Sequence, residues 1–380
     1  MATKHITGTY SAGYALAPTF SGVRLAPSGV IGGTGLSAQS RAIVFNAGVI
    51  AATDYGATGV DLARGGGLVN LTGAVIGGRA GTIGTYSPHT DGGAGGAGGY
   101  GVILAASESF LNRGAVSGGA GGAGGEGIGG GLGGRGGDGV NLEQTRAIVN
   151  RGSVRGGAGG AGGEGIVGGT GGGGGDGLVV GARYATLANS GLIVGGDGGL
   201  GASRDTYARG NNGGDGGDRV VLQSGARVSN CGTIEGGAGG SGGNYYGYFR
   251  APGHGGDGGA AIAPFSGSLT NDGVIEGGAG GDGGFFSYNN YGPIYGGSGG
   301  NGVSVSVGGI LNNGLIEGGA AGKGRDLFGQ GLTYPETGGV GATLRGGASL
   351  INHGAILGGA GGTGTPLLTY GDEGVVLDHA

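Results

Sequence analysis

Cysteine is nearly missing from this chain of 380 residues: Cys231 stands alone, so no internal disulfide can staple the fold, and it suits a small buried position beside its neighbour Asn230. Lysine is almost as scarce, with Lys4 and Lys323 the only two. With a net charge of −5 and no basic stripe, nucleic acid is excluded as a natural partner. No apolar run approaches the ~20 residues of a membrane-spanning helix, and no stretch holds a 3.6-residue period long enough for a soluble one. The first residues lack the apolar core of a cleavable signal peptide, so export is expected to use another route. Catalytic patterns are missing too. His5, His89, His254, His353 and His379 are scattered, no His-Glu-x-x-His or cysteine pair occurs, and no glycine run ends in the Lys-Ser/Thr of a phosphate loop. The chain is therefore expected not to be an enzyme, although β-solenoids that cleave polysaccharides with clustered carboxylates form a minor alternative.

What is present is a repeat. Asparagine followed two residues later by glycine recurs at Asn112, Asn150, Asn189, Asn230, Asn271, Asn312 and Asn352, at intervals of 38 to 41 residues. An apolar residue stands two before each anchor (Phe110, Ile148, Leu187, Val228, Leu269, Ile310, Leu350). A β-branched one stands four after it (Val116, Val154, Ile193, Ile234, Ile275, Ile316, Ile356). Even parity puts anchor and apolar residues on one side of an extended chain. A further pair upstream, such as Val140 and Leu142 or Val220 and Leu222, supplies a third strand. Near the start of the chain Asn46 and Asn70 lie only 24 apart, so a coil closes in about twenty residues and the remaining twenty or so are an insert. These features predict an all-β fold: a β-solenoid of about ten coils, rising ~4.8 Å per coil, with glycine-rich inserts from about residue 77 onward. Residues 1–22 read as a separate strand-like segment able to connect subunits, and 23–380 as the solenoid.

Glycine supplies 119 residues, a share that by itself suggests a disordered chain. The in-register apolar columns argue against that. In the inserts every third residue is not glycine: Ala120, Ala123 and Glu126 in one, Ala158, Ala161 and Glu164 in the next. A three-residue-per-turn helix places these on one edge and leaves two glycine edges for close backbone approach. The inserts are therefore read as polyglycine II helices packed in a second layer, against the alternative of surface loops.

Three sets of residues are candidates for special roles. The seven anchor asparagines fit a structural ladder of amides at a turn better than a ligand site. Asp138, Asp176 and Asp218 recur before the first strand of a coil, and Glu235, Glu276 and Glu317 recur one coil apart. Segments 133–141, 171–179 and 213–221 match the calcium nonapeptide Gly-Gly-x-Gly-x-Asp-x-U-x, but stand about 40 residues apart instead of in tandem. Solvated turn carboxylates and bound Ca²⁺ both remain open. Aromatic residues concentrate in two neighbouring inserts: Tyr245, Tyr246, Tyr248 and Phe249, then Phe285, Phe286, Tyr288, Tyr291 and Tyr295. They suit either a cluster closing the insert tips or a contact surface for another subunit, a cell or a glycan.

With Asn-x-Gly-x-Ile/Val units joined to Gly-Gly-Ala-Gly-Gly inserts, residues 20–380 resemble the β-helical passenger regions of bacterial autotransporters and other large surface adhesins. The resemblance is one of repeat style, and it implies an extracellular or cell-surface bacterial protein. The signal and membrane barrel of that family are not seen. The triplet glycine layer also resembles that of glycine-rich phage fibre tips and small glycine-rich antifreeze proteins. Residues 373–377 restart a strand, and the first residues are strand-like without a capping helix. An open coil at one end and a free strand at the other imply head-to-tail self-assembly into an extracellular structural filament or matrix. A monomeric adhesin is the first alternative. An ice-binding protein is the second, although it would need a regular threonine array that the sequence does not show.

Overall fold

The computed structural model describes residues 2–203, 210–245, 252–285, 295–324, 336–362 and 373–378, and among them there is no helix. The chain winds as a succession of three short strands per coil, paired in parallel with strands of neighbouring coils. Ala147–Asn150, Ser153–Arg155 and Leu178–Val180 make up one such coil. The middle strands stack into an 11-stranded sheet, one strand per coil, close to the ten coils expected. The other two columns merge into one 20-stranded sheet, because Ile262–Asn271 and Val303–Asn312 run unbroken through both.

Register follows from which side chains must be inside. Slipping a strand by one residue would turn every apolar side chain to water, and the pairing keeps like above like: Ile148 over Phe110 and Leu187 over Ile148, Ile234 over Ile193 and Ile275 over Ile234. Phe110, Val116, Val140, Leu142, Ile148 and Val154 are all buried in one continuous core. The segment 1–22 is not a separate connector. Ala2–Ile6 pairs in parallel with Phe20–Leu25, so the solenoid begins with the first described residues and Ile6 is already buried.

Each insert leaves the rod after the middle strand and returns to the next one. In the coil of Asn112 the outgoing run covers 118–126 and the return run 130–139. Outgoing amides of Gly118, Gly121 and Gly124 donate to carbonyls of Arg155, Ala158 and Ala161 in the next coil, at 2.8–2.9 Å. Those of Gly119, Gly122 and Gly125 donate to Gly99, Gly96 and Gly93 of the preceding return run. Return amides of Gly131, Gly134 and Gly137 donate back to Gly125, Gly122 and Gly119. The inserts are thus ordered, hydrogen-bonded layers and not surface loops. Glycine is required on the two inner edges: a Cβ at Gly122 would overlap the carbonyl of Thr82 in the previous outgoing run, and one at Gly121 the carbonyl of Gly134. Only the third edge faces outward, and Ala120, Glu126, Leu132 and Arg135 stand there exposed.

Candidate functional site

At the corner between the first two strands of each coil, the anchor asparagines stack inside the rod. Asn112 Nδ2 donates to Asn150 Oδ1 at 2.9 Å, Asn150 to Asn189 at 2.8 Å, and the same bond continues through Asn230, Asn271 and Asn312 to Asn352. The column starts earlier than the repeat suggested, with Asn46 donating to Asn70 at 2.8 Å and Asn70 to Asn112 at 2.9 Å. All these amides point the same way. From Asn46 to Asn312 each Nδ2 also reaches a carbonyl of the next coil, as Asn112 does to Ser153 at 3.0 Å. Oδ1 accepts the amide of the glycine two residues on in several coils, such as Gly114 at 3.2 Å. That glycine has no room for a side chain, since a Cβ at Gly152 would overlap the carbonyl of Gly114. The Asn-x-Gly signature therefore joins a buried amide that is satisfied vertically to a turn packed against the turn below it.

The aspartates form a second ladder, on the outward edge of the return layer. The amide on that edge has no glycine run to bond, and the carboxylate one coil earlier accepts it. Asp138 Oδ1 takes the amide of Asp176, Asp176 that of Asp218, and Asp218 that of Ala260, at 2.9–3.0 Å. Asp215 and Asp257 repeat the device one helical turn further out, accepting from Asp257 and Ser298, and Asn212 and Asn301 do so uncharged. Arg135 pairs with Asp138 and Asp176 at 3.1 Å each. Burial, then the neighbouring Asp138, push the Asp176 carboxyl up to about 6 against the opposing pull of Arg135. Burial likewise raises Asp218.

Glu235, Glu276 and Glu317 stack one above another on the outer side of the middle strands. Burial and its two like-charged neighbours raise Glu276 above the usual carboxylate range. The counter-charge is a residue the sequence reading passed over. Arg219 occupies the place that Gly139 and Gly177 hold in earlier coils, and its guanidinium is buried with Nε and Nη1 unpaired. Burial draws it down to about 9 while Glu235, Asp197, Glu276 and Asp218 hold it up. The substitution of Gly by Arg in Gly-Asp-Gly-Val was the visible signal. Among the described residues no three His, Cys, Asp or Glu side chains come together as a metal site. The carboxylates proposed as Ca²⁺ ligands instead accept backbone amides or stack in file.

One further expectation changes. Cys231 is exposed and not buried, because it follows the inward-facing Asn230 and so takes the outward side of the turn. Of the nine aromatics, Tyr246, Tyr248, Phe249, Phe286, Tyr288 and Tyr291 lie outside the described residues. Tyr245 is buried, its amide donating to the carbonyl of Phe285, so it packs within the glycine layers. Tyr295 stacks against His254 at 4.8 Å. Near the distal edge of the layers, Tyr86, Pro88, Glu126, Ile128, Glu164 and Ile166 line a shallow cleft.

The two ends of the rod differ. At the first coil Tyr10 and Tyr14 meet edge-on at 4.9 Å and, with Phe20, lie partly buried against the core. At the last, the inward-facing Leu350, Ile356 and Val375 are only partly covered and Leu377 is 60% exposed.

No family model matches the chain, and no curated protein matches it. One solved structure, a springtail antifreeze protein from Granisotoma rainieri described as a nine-helix polyproline type II bundle, is similar at 20% identity over 68% of this chain and 96% of the other. Its TM-score of 0.13 is too low to carry over a fold or a role.

Proposed function

We propose that the protein is a non-enzymatic, extracellular structural rod that assembles end-on with copies of itself, its glycine inserts forming a polyglycine II layer that stiffens one side. The observation that carries this reading is the face of the last coil. There Leu350, Ile356 and Val375 are only partly covered, where the same apolar columns are buried in the middle coils, and Ser349–Asn352, Ala355–Leu357 and Val375–Asp378 each pair with one strand among the described residues. Free strand edges over apolar surface template further pairing. The three-residue hydrogen-bond spacing of the inserts supports the polyglycine II assignment. Sedimentation velocity and negative-stain microscopy of the purified chain over a range of concentrations test assembly: end-joined rods are expected, and single rods at every concentration would remove the reading.

A monomeric adhesin is the second reading, favoured by exposed apolar side chains on the inserts, where Ile128, Leu132, Ile166 and Val167 face water. It predicts binding of cells or glycans by single rods.

A further inference from the structure

Asparagine or aspartate followed by glycine is chemically fragile in an unfolded chain. With no side chain on the glycine to hinder it, its nitrogen can attack the side-chain carbonyl carbon and close a five-membered imide. Such pairs recur along this protein, and asparagine supplies three of them: Asn212-Gly213, Asn301-Gly302 and Asn313-Gly314. All three asparagines are exposed, so access to water does not separate them.

Hydrogen bonding does. On the outward edge of the inserts each pair grips one residue of the next coil at two points: the side-chain oxygen accepts that residue's amide, and the glycine amide donates to its carbonyl. Asn212 and Gly213 hold His254 in this way, at 3.0 and 2.9 Å, and Asn301 and Gly302 hold Val340, at 2.9 Å each. The same clamp joins Asp138-Gly139 to Asp176, Asp215-Gly216 to Asp257 and Asp282-Gly283 to Lys323. Both partners of the cyclisation are tied to a neighbouring run, so the ring cannot close unless the runs part.

Asn313 stands elsewhere. It fills the middle place of Asn-x-Gly at the corner of the rod, which successive coils give to Arg151, Ser190, Cys231, Asp272, Asn313 and His353. The glycine after it is required by packing, since a Cβ at Gly314 would overlap the carbonyl of Gly273. No clamp forms here. Gly314 shares the Asn271 carbonyl with the Asn313 amide, at 3.1 Å against 2.7 Å, and the Asn313 side chain donates from Nδ2 to Asp272 Oδ1 at 2.7 Å.

We infer that Asn313 is a built-in modification site, the one asparagine-glycine pair that the folded rod leaves open to deamidation. The Gly314 nitrogen gives up its proton to hydroxide and bonds to Asn313 Cγ. The Cγ–Nδ2 bond breaks, and the nitrogen leaves as ammonia with a proton from water. One water then opens the imide to aspartate or isoaspartate, and nothing is oxidised or reduced. The product sets a carboxylate against Asp272 where an amide had donated to it, two like charges one coil apart. The inference stands whether or not rods join end-on.

The test keeps the full chain folded for weeks in mildly alkaline buffer, with the same chain in guanidinium as reference, and maps both by proteolysis and mass spectrometry. Asn313 is expected to convert in the fold. Asn212 and Asn301 should convert at least about tenfold more slowly there, because they wait on local opening, and all three should convert at similar rates once unfolded. An Asn313→Gln variant with unchanged circular dichroism should lose the acidic form that ageing wild-type protein shows on isoelectric focusing, since the longer side chain closes its larger ring slowly. Conversion of Asn212 or Asn301 in the fold as fast as Asn313 would overturn the clamp. Protection of all three relative to the unfolded reference would overturn Asn313 as the site.

Discussion

A buried primary amide has two protons and two lone pairs to satisfy, and the anchor column meets these demands with its own copies and the adjoining turn carbonyls. Replacing Asn189 by alanine takes away the acceptor of one Asn150 Nδ2 proton, the other still reaching Leu192 O, and one of the two donors to Asn230 Oδ1, which keeps the Gly232 amide, both inside the rod. An unsatisfied buried polar group costs about 1–3 kcal/mol, so Asn189→Ala is expected to lose at least that much in chemical denaturation, and Ser229→Ala, on the outer side of the same strand, very little. Asp176 offers the opposite case. Its carboxyl titrates at about 6 in the fold against 3.8 ordinarily, so the folded state holds the proton more tightly and the charge is what the fold resists. Stability should therefore rise as pH falls through 6 towards 4, and the ionised form should cost on the order of 1–3 kcal/mol at pH 8, at 1.36 kcal/mol per pH unit. Asp176→Asn keeps the acceptor for the Asp218 amide, as Asn212 does for His254, and gives up the Arg135 pair. Melting curves from pH 4 to 8 should show the variant more stable at pH 8, with a flatter profile. A variant less stable at pH 8 would mean that Arg135 outweighs burial. The asparagine column could be read from the sequence because its period and parity are strict. The interval of 24 between Asn46 and Asn70 marks the shorter coils at the start of the chain, where Asn70 departs from the signature because its glycine, Gly73, comes three residues later instead of two. The aspartates could not be read, since the outward amide they serve exists only once layers stack.

Among the elements, strands and inserts are stabilised by different means. The strands depend on apolar columns: Ile275 is fully buried between Ile234 and Ile316, and Ile275→Asp would set an uncompensated charge there at a cost of several kcal/mol. Circular dichroism and limited proteolysis should register the loss, and native behaviour would contradict the register. In the inserts, nearly side-chain-free runs order themselves because the inner amides of each run donate to two neighbouring runs, offsetting the backbone entropy that glycine loses most of. Hydrogen exchange should accordingly find the Gly118 to Gly137 amides protected in the wild type. Gly122→Ala forces a methyl into the carbonyl of Thr82 and should cost about 1–3 kcal/mol with faster exchange across both adjoining runs, whereas Ala123→Ser, on the outward edge, should change neither. Equal effects would mean that the edges are not distinguished. The triplet spacing made the layer legible from sequence, but not its pairing, because glycine carries no side chain to show which run faces which. Arg79, Thr82 and Thr85 break the triplet and are understood only once the missing neighbour is seen.

At the scale of the whole molecule, the coils repeat one stacking scheme, and the first and last described coils differ in what covers their apolar columns. In the first coils aromatic rings pack on the core, two aliphatic residues continue the amide column and three bulky side chains stand in the first outgoing glycine run. Among its described residues the last coil has none of these. Its contact with a partner would bury apolar side chains and pair strand edges, two interactions that salt screens little. Raising salt from about 0.1 M to about 1 M shortens the screening length from roughly 10 to 3 Å. Association measured by sedimentation should persist across that range and strengthen in sulfate, which favours apolar burial. Dissociation at high salt would instead trace the contact to opposed charges, and the apolar end-face account would fall with it.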